Sequence, residues 1–169
     1  YAHARIGTML AAWGGQRVII TWSGNGSADN LGVYARLYDT LAPAVVSSVG
    51  TETRANTTTT NTQQTSASAG KQVATAANGN FVVVWEDTTT DYVYARLYNA
   101  AGTALTGEFR VNTDTTAARN KDQPTVAMDD AGNFVIAWHS QLQDGAGYGI
   151  YAQRYNASAV AQGSEFRVN

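Results

Sequence analysis

Short apolar runs of strand length recur along the chain. FVVVWED at 81–87 has a near-copy, FVIAWHS, at 134–140, and a looser copy, VIITWSG, at 18–24. These runs are rich in β-branched and aromatic residues and predict strands that are buried on both faces. The segment VYARLY at 93–98 alternates with a period of two instead, which is typical of a half-buried strand.

Turn signals separate these runs. NGN at 78–80 and DAGN at 130–133 contain residues that tolerate the positive φ of tight hairpins. NAAG at 99–102 turns the chain again before a closing strand of sequence EFRVN, and no stretch shows helical periodicity. The pattern therefore predicts an all-β fold of repeated units, each with four antiparallel strands in sequence order.

The repeats keep step along the chain. Tyr34, Tyr94 and Tyr151 open equivalent Tyr-Ala segments that are 60 and 57 residues apart. Repeats that hold their spacing while their connections vary are expected to stack and bury one another's apolar faces. The predicted organisation is a diverged first unit at 1–56, a Thr-rich linker or loop at 57–70, a second unit at 71–114 and a third unit at 115–169.

Composition narrows the class of protein. Only 14% of the residues are charged and the net charge is −2, so there is no basic patch of the kind that nucleic acid demands. No apolar run approaches the roughly 18–20 residues of a membrane span. Cysteine is absent, which excludes disulfides, zinc thiolate sites and cysteine nucleophiles. This composition fits a secreted or cell-surface bacterial protein.

The wording GNFVVVW, YAQRY and GSEFRVN in the second and third units resembles the β-propeller-like blade repeats of large secreted or surface proteins of bacteria. The resemblance covers nearly the whole chain and is looser in the first unit. It implies four-stranded blades, an extracellular location and a repeat architecture, and it names no ligand.

Three blades are fewer than the four to eight that are typical of a closed propeller. An open stack would leave sheet edges free to pair with other chains. The sequence leaves three interpretations: further blades of a longer chain, a homo-oligomer in which two chains share six blades, or a three-fold closure of the β-prism or β-trefoil type. Propeller-like blades are the favoured prediction.

A Glu-x-Arg-x-Asn signature closes each unit and is its most regular polar feature. Period-two alternation places its three side chains on one face of the strand. One interpretation is hydrogen bonding between blades. The other is a repeated glycan site, because Glu and Arg form hydrogen bonds with sugar hydroxyls. The candidate glycan ligands in this signature are Glu108, Arg110, Glu165 and Arg167.

Tryptophan ends the most apolar strand of each unit, at Trp22, Trp85 and Trp138. Packing between blades with a hydrogen-bonded indole N–H is the favoured interpretation. The alternative is a ligand site in which the aromatic rings stack on sugar faces.

Catalytic chemistry is not indicated by the sequence. Hydrolysis of a glycoside needs two carboxyl groups that flank the bond. Neighbouring residues on a strand point to opposite faces, so neither Glu86 with Asp87 nor Asp129 with Asp130 can do this alone. The histidines are His3 and His139, and His139 occupies a repeat position held elsewhere by Ser23 and Glu86, so it is expected to be a variable surface residue.

Calcium is the one cofactor for which the chain offers ligands. Asp129, Asp130 and Asn133 bring oxygen atoms together in one turn, and calcium prefers such ligands. No complete calcium-loop motif is present, and Asp is common in turns for backbone reasons, so the turn interpretation is favoured over the metal site.

The sequence thus predicts a non-catalytic extracellular repeat module that acts by binding or self-assembly, such as an adhesin or a filament component. The alternative is a lectin with one glycan site per repeat. A glycan-active enzyme is the least favoured function, and the expectation is that the chain is not an enzyme.

Overall fold

The computed structural model of the protein describes residues 11–13, 17–26, 29–42, 45–65, 70–116 and 120–169. Within these ranges the regular structure is entirely β-strand. The described residues include no helix with the length and apolar character needed to cross a membrane. His3 lies outside the described residues.

The described strands form three antiparallel sheets, one for each repeat, which we call the first, second and third blades. The first blade has β1 (Ala11–Trp13), β2 (Arg17–Gly26), β3 (Asp29–Ala42) and β4 (Val45–Arg54). The second has β5 (Gln63–Gln64), β6 (Val73–Thr75), β7 (Phe81–Asp87), β8 (Tyr92–Tyr98) and β9 (Phe109–Arg110). The third has β10 (Lys121–Met128), β11 (Phe134–Gln141), β12 (Tyr148–Tyr155) and β13 (Phe166–Arg167).

The register repeats from blade to blade, as the sequence spacing predicts. Trp22, Trp85 and Trp138 each lie opposite the tyrosine of the Tyr-Ala segment in the next strand, and that tyrosine lies opposite the arginine of the closing strand. In the third blade, for example, Trp138 pairs with Tyr151 and Tyr151 with Arg167. The positions in the three blades can therefore be compared one by one.

The edge strand before β7 is split in two. β5 and β6 both pair with β7, whereas β10 runs the full length of β11 with a bulge between Asp122 and Thr125. The split arises because more residues separate the two segments that pair with β7 in the second blade than separate the equivalent positions of β10 in the third. The Thr-rich stretch 57–70, predicted as a linker or loop, thus supplies Gln63–Gln64 as a short strand of the second blade.

The blades pack face to face in sequence order, through two hydrophobic cores. One core joins the first and second blades, and the other joins the second and third. We call the surface a blade turns to the following blade its forward face, and the opposite surface its back face. The forward face of the second blade consists of Val82, Val84, Val93, Ala95, Leu97 and Val111, and the back face of the third consists of Val126, Phe134, Ile136, Trp138, Tyr151 and Tyr155.

Sequential stacking decides between the predicted architectures. A three-fold closure of the β-prism or β-trefoil type would pack the third repeat on the first as well as on the second. Among the described residues, neither hydrophobic core contains members of both the first and the third blades. The propeller-like arrangement is therefore the one adopted.

The hairpins before β7 and β11 have the backbone that their residues predict. Gly79 has a φ of 82° and Gly132 a φ of 90°, values that L side chains rarely adopt. These hairpins also pack against each other, since the backbone N–H of Ala77 donates to the carbonyl of Asp130. The tight turns thus belong to the contact between blades.

Candidate functional site

The asparagine of each Glu-x-Arg-x-Asn signature completes an edge of its own blade. The Oδ1 atoms of Asn56, Asn112 and Asn169 accept backbone hydrogen bonds from Val33, Val93 and Ile150, at 2.8, 2.9 and 2.7 Å. A buried backbone N–H needs such a partner, so the amide side chain extends the sheet by one bond where the closing strand ends.

The glutamates of the signature join neighbouring blades. Glu108 accepts hydrogen bonds from the backbone N–H and the hydroxyl of Thr58 and from the N–H of Thr57, in the segment that leaves the first blade. Glu165 accepts the N–H of Thr113 in the same way. Burial acts to raise the pKa of Glu108, but the bonds from Thr57 and Thr58 outweigh it and hold the pKa below its ordinary value.

The two candidate arginines contact protein groups of their own blades. The guanidinium of Arg110 lies 5.1 Å from the ring centre of Tyr92. Arg167 forms an ion pair with Asp144 at 3.0 Å and also donates to the carbonyl of Asn169. Both contacts occur at the end of the blade where the closing strand meets the neighbouring hairpin.

Two of the three candidate tryptophans lie inside the blade contacts. Trp85 and Trp138 are 0% and 1% exposed, so protein covers both faces of each ring, whereas Trp22 in the first blade is partly exposed. The indole N–H of Trp85 donates to Gln63 at 2.7 Å. Trp85 and Trp138 thus lie packed between blades, the arrangement that the sequence interpretation favours.

The candidate calcium ligands form a self-contained turn. Both carboxylate oxygens of Asp129 accept from Asn133, one from its backbone and one from its side chain, and these bonds lower the pKa of Asp129. Asp130 is exposed beside them. No group of three or more His, Asp or Glu side chains with metal-binding geometry occurs in the described part of the chain.

A different cluster of carboxylates meets at the junction of the second and third blades. Glu86 and Asp87 end β7, Asp91 lies in the following turn, and Asp122 is the second residue of β10. Together with Gln64, Asn120 and Lys121 they line a cavity of about 310 Å³, within the range of about 300–1,000 Å³ typical of small-molecule sites. We call this cavity the acidic pocket.

Glu86 and Asp87 are each held by two or more hydrogen bonds. Asp87 accepts from the side chains of Asn61 and Gln63 and from the backbone of residues 89 and 90. Glu86 accepts from Gln64 at 2.6 Å and from the N–H of Gln123 in the third blade at 2.8 Å. These two groups anchor the pocket wall and tie the two blades together.

Asp122 has different surroundings. Its Oδ2 accepts from Asn120 at 3.0 Å, while its buried Oδ1 has no hydrogen-bond partner and lies 3.6 Å from the Nδ1 of His139. Burial raises the pKa of Asp122 above its ordinary value, a protonated His139 opposes the rise, and the negative charge of Asp91 adds to it. The pocket therefore holds one carboxyl whose pKa lies above its ordinary value.

A larger cavity, of about 610 Å³, opens beside the Asp129 turn. Its one acidic side chain is Asp129, whose two oxygens are already bonded to Asn133. The acidic pocket is smaller but has four carboxylates and an oxygen without a partner. It is thus the better candidate for chemistry.

Sequence reasoning considered Glu86 with Asp87 and missed Asp91 and Asp122. The missing information was the stacking of the blades, which brings the start of β10 against the end of β7. One signal was available, because hairpin register places Asp122 opposite His139 at the end of β11. That register puts polar residues of neighbouring repeats at the same end of their blades.

Comparison with known proteins supports the fold. No family model and no curated protein sequence matches the chain. A solved structure, the endo-arabinase from Bacteroides thetaiotaomicron VPI-5482, is similar with a TM-score of 0.51 and 15% identity. The similarity covers 95% of this chain and 60% of that one, so this chain spans less than two thirds of the length of the endo-arabinase.

A second similar structure is a subtype N11 neuraminidase-like protein of A/flat-faced bat/Peru/033/2010 (H18N11), at 14% identity, with 92% of this chain and 50% of that one covered. Its TM-score of 0.41 is too low to support an inference. The endo-arabinase is a β-propeller protein. At its level of identity the likeness shows the fold alone, and the described sheets are β-propeller-like blades.

One expectation from the sequence needs correction. Blade repeats were interpreted as a non-catalytic module that acts by binding or self-assembly, with a lectin as the alternative. That interpretation is wrong, because the same fold occurs in a protein that is named as a glycan-active enzyme. Repetition of blades is a property of the scaffold and gives no ground for placing an enzyme last.

Proposed function

We propose that this chain is the β-propeller part of a glycan-active enzyme and that the acidic pocket is its acid–base centre. The observation that carries the proposal is the convergence of Asp91 and Asp122, from two blades, on one cavity. The fold likeness to an endo-arabinase supports the choice of substrate class.

Cleavage of a glycosidic bond generally uses a protonated carboxyl group and an ionised one on opposite sides of the bond. Asp122 fits the first role, because it lines the pocket and burial raises its pKa, so that it retains its proton to a higher pH than an ordinary aspartate. It would give that proton to the glycosidic oxygen as the bond breaks. Asp91 fits the second role, because it lines the same cavity and its carboxylate is close enough to raise the pKa of Asp122.

The remaining polar groups position these two. Glu86 and Asp87 are fixed by the hydrogen bonds described above and hold the ends of the strands in place. His139, whose Nδ1 lies 3.6 Å from the Oδ1 of Asp122, acts through that carboxyl, since it opposes the rise in the pKa of Asp122 when it is protonated. The secreted or cell-surface location expected from the sequence belongs to the same proposal, because polysaccharides are too large to enter a cell intact.

The experiment is an assay of new reducing ends on a panel of polysaccharides, beginning with the arabinose-containing ones that the name of the endo-arabinase suggests. We expect turnover, and we expect Asp122→Asn and Asp91→Asn each to lower it by about 100-fold or more, the usual contribution of acid–base catalysis. Asp130→Asn, an exposed carboxylate away from the pocket, is the matched control and should retain full activity.

Two results would overturn the proposal. One is an absence of turnover across the panel, whether or not a polysaccharide binds. The other is activity that survives Asp122→Asn, which would place the chemistry elsewhere. The same assay tests the expectation from the sequence that the chain is not an enzyme.

A further inference from the structure

A buried lysine meets an aspartate where the second blade passes into the third. The side chain of Lys121, the first residue of β10, is 0% exposed, and that of Asp114, in the segment that follows β9, is 13% exposed. The ammonium nitrogen Nζ lies 3.7 Å from the Oδ2 of Asp114. Two opposite charges from different elements are therefore enclosed together by protein.

The equivalent positions at the junction of the first and second blades hold uncharged residues. The signature asparagine of the first blade donates to the carbonyl of Thr58, and that of the second blade donates to the carbonyl of Asp114, so Thr58 corresponds to Asp114. Register likewise aligns Gln63 with Lys121. The blade junction thus forms with threonine and glutamine at these positions, and the charged pair is an addition to the repeat.

As an ion pair, this contact is weak for its degree of burial. A hydrogen bond between an ammonium and a carboxylate is about 2.7–2.9 Å long, and the distance from Nζ to Oδ2 exceeds this. Taking two charges out of water is costly, and only close, well-bonded geometry offsets it. Nζ donates to the carbonyl of Thr116 at 3.3 Å and lies 5.7 Å from the ring centre of Tyr92. A neutral covalent bond between the two side chains would remove both buried charges.

The carboxyl group of Asp114 is held in a way that suits attack by a nucleophile. Its Oδ1 accepts from the backbone N–H of Thr116 at 2.9 Å and from the hydroxyl of the same residue at 2.7 Å. Two donors at such distances stabilise the negative charge that develops on a carbonyl oxygen when a nucleophile adds to its carbon. The other oxygen, Oδ2, lies beside Lys121, where it can receive protons from the amine and leave.

We propose that Lys121 and Asp114 condense into an amide bond between their side chains. The ammonium passes one proton to Oδ2, and the lone pair of Nζ then adds to the Cγ of Asp114. The bond between Cγ and Oδ2 breaks, and Oδ2 leaves as water with that proton and a second one from the nitrogen. The amide keeps the third proton, the two charges cancel, and no oxidant, reductant or co-reactant is needed. Holding the two groups close in a fixed orientation supplies the entropic advantage of an intramolecular reaction.

The product is a covalent crosslink across the junction of two blades. It joins the segment that leaves the second blade to the first strand of the third, next to the acidic pocket that Lys121 helps to line. The crosslink would fix the two blades against separation at this point. It forms without catalysis in the pocket, so its test is independent of the proposed enzymatic activity.

Mass spectrometry of the intact 169-residue chain tests the bond. After incubation of the folded protein at neutral pH, we expect a mass that is lower than the sequence mass by one water molecule. Lys121→Gln and Asp114→Thr should each keep the full mass. Both variants install the residue that the first junction has at the equivalent position, so they are expected to fold, and circular dichroism checks that they do.

Digestion with trypsin locates the change. Trypsin cuts after Arg119 but not after an acylated lysine, so the peptide that ends at Arg119 should stay attached to the peptide that contains Lys121, with the loss of one water molecule. An aspartate can also lose water by cyclising onto its own backbone, a reaction that needs no lysine. Water loss that persists in Lys121→Gln, water loss that maps to other residues, or a full mass in the wild type would each overturn the proposal.

Discussion

Two equivalent tryptophans differ in their hydrogen bonding at the residue scale. Trp85 donates its indole N–H to Gln63, whereas the N–H of Trp138 is buried without a partner. Register places Lys121 in the third blade where Gln63 stands in the second. An ammonium group has no acceptor to offer, so it cannot replace the glutamine, and an unmade bond of this kind costs about 1–3 kcal/mol.

Lys121, which replaces the glutamine, makes contacts through its charge instead. Lys121 is 1% exposed, and its ammonium lies 3.7 Å from the carboxylate of Asp114 and 3.3 Å from the carbonyl of Thr116. It also lies 5.7 Å from the ring centre of Tyr92. Lys121 thus holds in place the segment that leaves the second blade, while the indole N–H of Trp138 is left without a hydrogen bond.

A single glycine tests the tight packing of the hairpins. Gly132→Ala should lower the free energy of unfolding by about 1–3 kcal/mol, because its φ is 90° and an added Cβ would lie 3.2 Å from that of Ala157. Gly107→Ala is the control, since it has open space around it and no positive φ. Urea unfolding measures both, and equal stability of the two variants would contradict the prediction.

The raised pKa of Asp122 makes a prediction about pH. A carboxyl whose folded pKa is above its unfolded value of about 3.9 destabilises the fold once pH rises through that folded value. Asp122→Asn removes this cost, so it should be more stable than wild type at neutral pH. The difference should vanish as pH falls below the unfolded pKa, where both forms are uncharged. Calorimetry across this range measures it, and a variant less stable than wild type at neutral pH would contradict the prediction.

The near-copies FVVVWED and FVIAWHS behave differently at the element scale. All seven residues of β7 are buried, whereas β11 alternates between buried and partly exposed positions along its length. The cause is external to the strands, because β7 has a blade on each side and β11 has a blade on one. Their shared apolar character suits both faces for burial, and the neighbouring blades decide whether burial occurs.

Two equivalent valines on the closing segments allow this difference in burial to be measured as a difference in the free energy of unfolding. Val111→Asp should lower the free energy of unfolding by at least about 3 kcal/mol, because it removes a packed side chain and buries a charge. Val168→Asp, the same change at the equivalent exposed position, should stay within about 0.5 kcal/mol when compared with monomeric wild type. Chemical denaturation of dilute samples measures both, and similar losses would contradict the role given to the covering blade.

Stacking on both sides is expected to make the second blade better protected from hydrogen exchange than the third. Local opening of a strand is rarer where more apolar contacts must be broken. Backbone amides of β7 should therefore exchange with deuterium more slowly than those of β11, despite the similar sequences. Mass spectrometry of peptides from the two strands gives the comparison, with intrinsic rates as the internal correction. Equal protection in the monomer would mean that the blades unfold as one unit.

The sequence by itself determined the local structure. Period-two patterning and Asn-Gly or Ala-Gly turns depend on neighbours along the chain, so the long strands β7, β8, β11 and β12 and the hairpins at Gly79 and Gly132 are confirmed. The repeat spacing agrees with the register, since Trp85 and Trp138 pair with the equivalent residues Tyr94 and Tyr151. The strand hidden at Gln63–Gln64 was not predicted, because two polar residues have no apolar pattern to reveal a strand.

Only the tertiary structure decided which faces are covered and where charges meet. Glu86 and Asp122 are 36 residues apart in sequence, yet Glu86 accepts a hydrogen bond from the residue after Asp122. No local pattern contains that contact, because it depends on how one blade sits on the next. For the same reason Val111 and Val168 share a motif and differ in burial, and the acidic pocket exists only once the second and third blades are stacked.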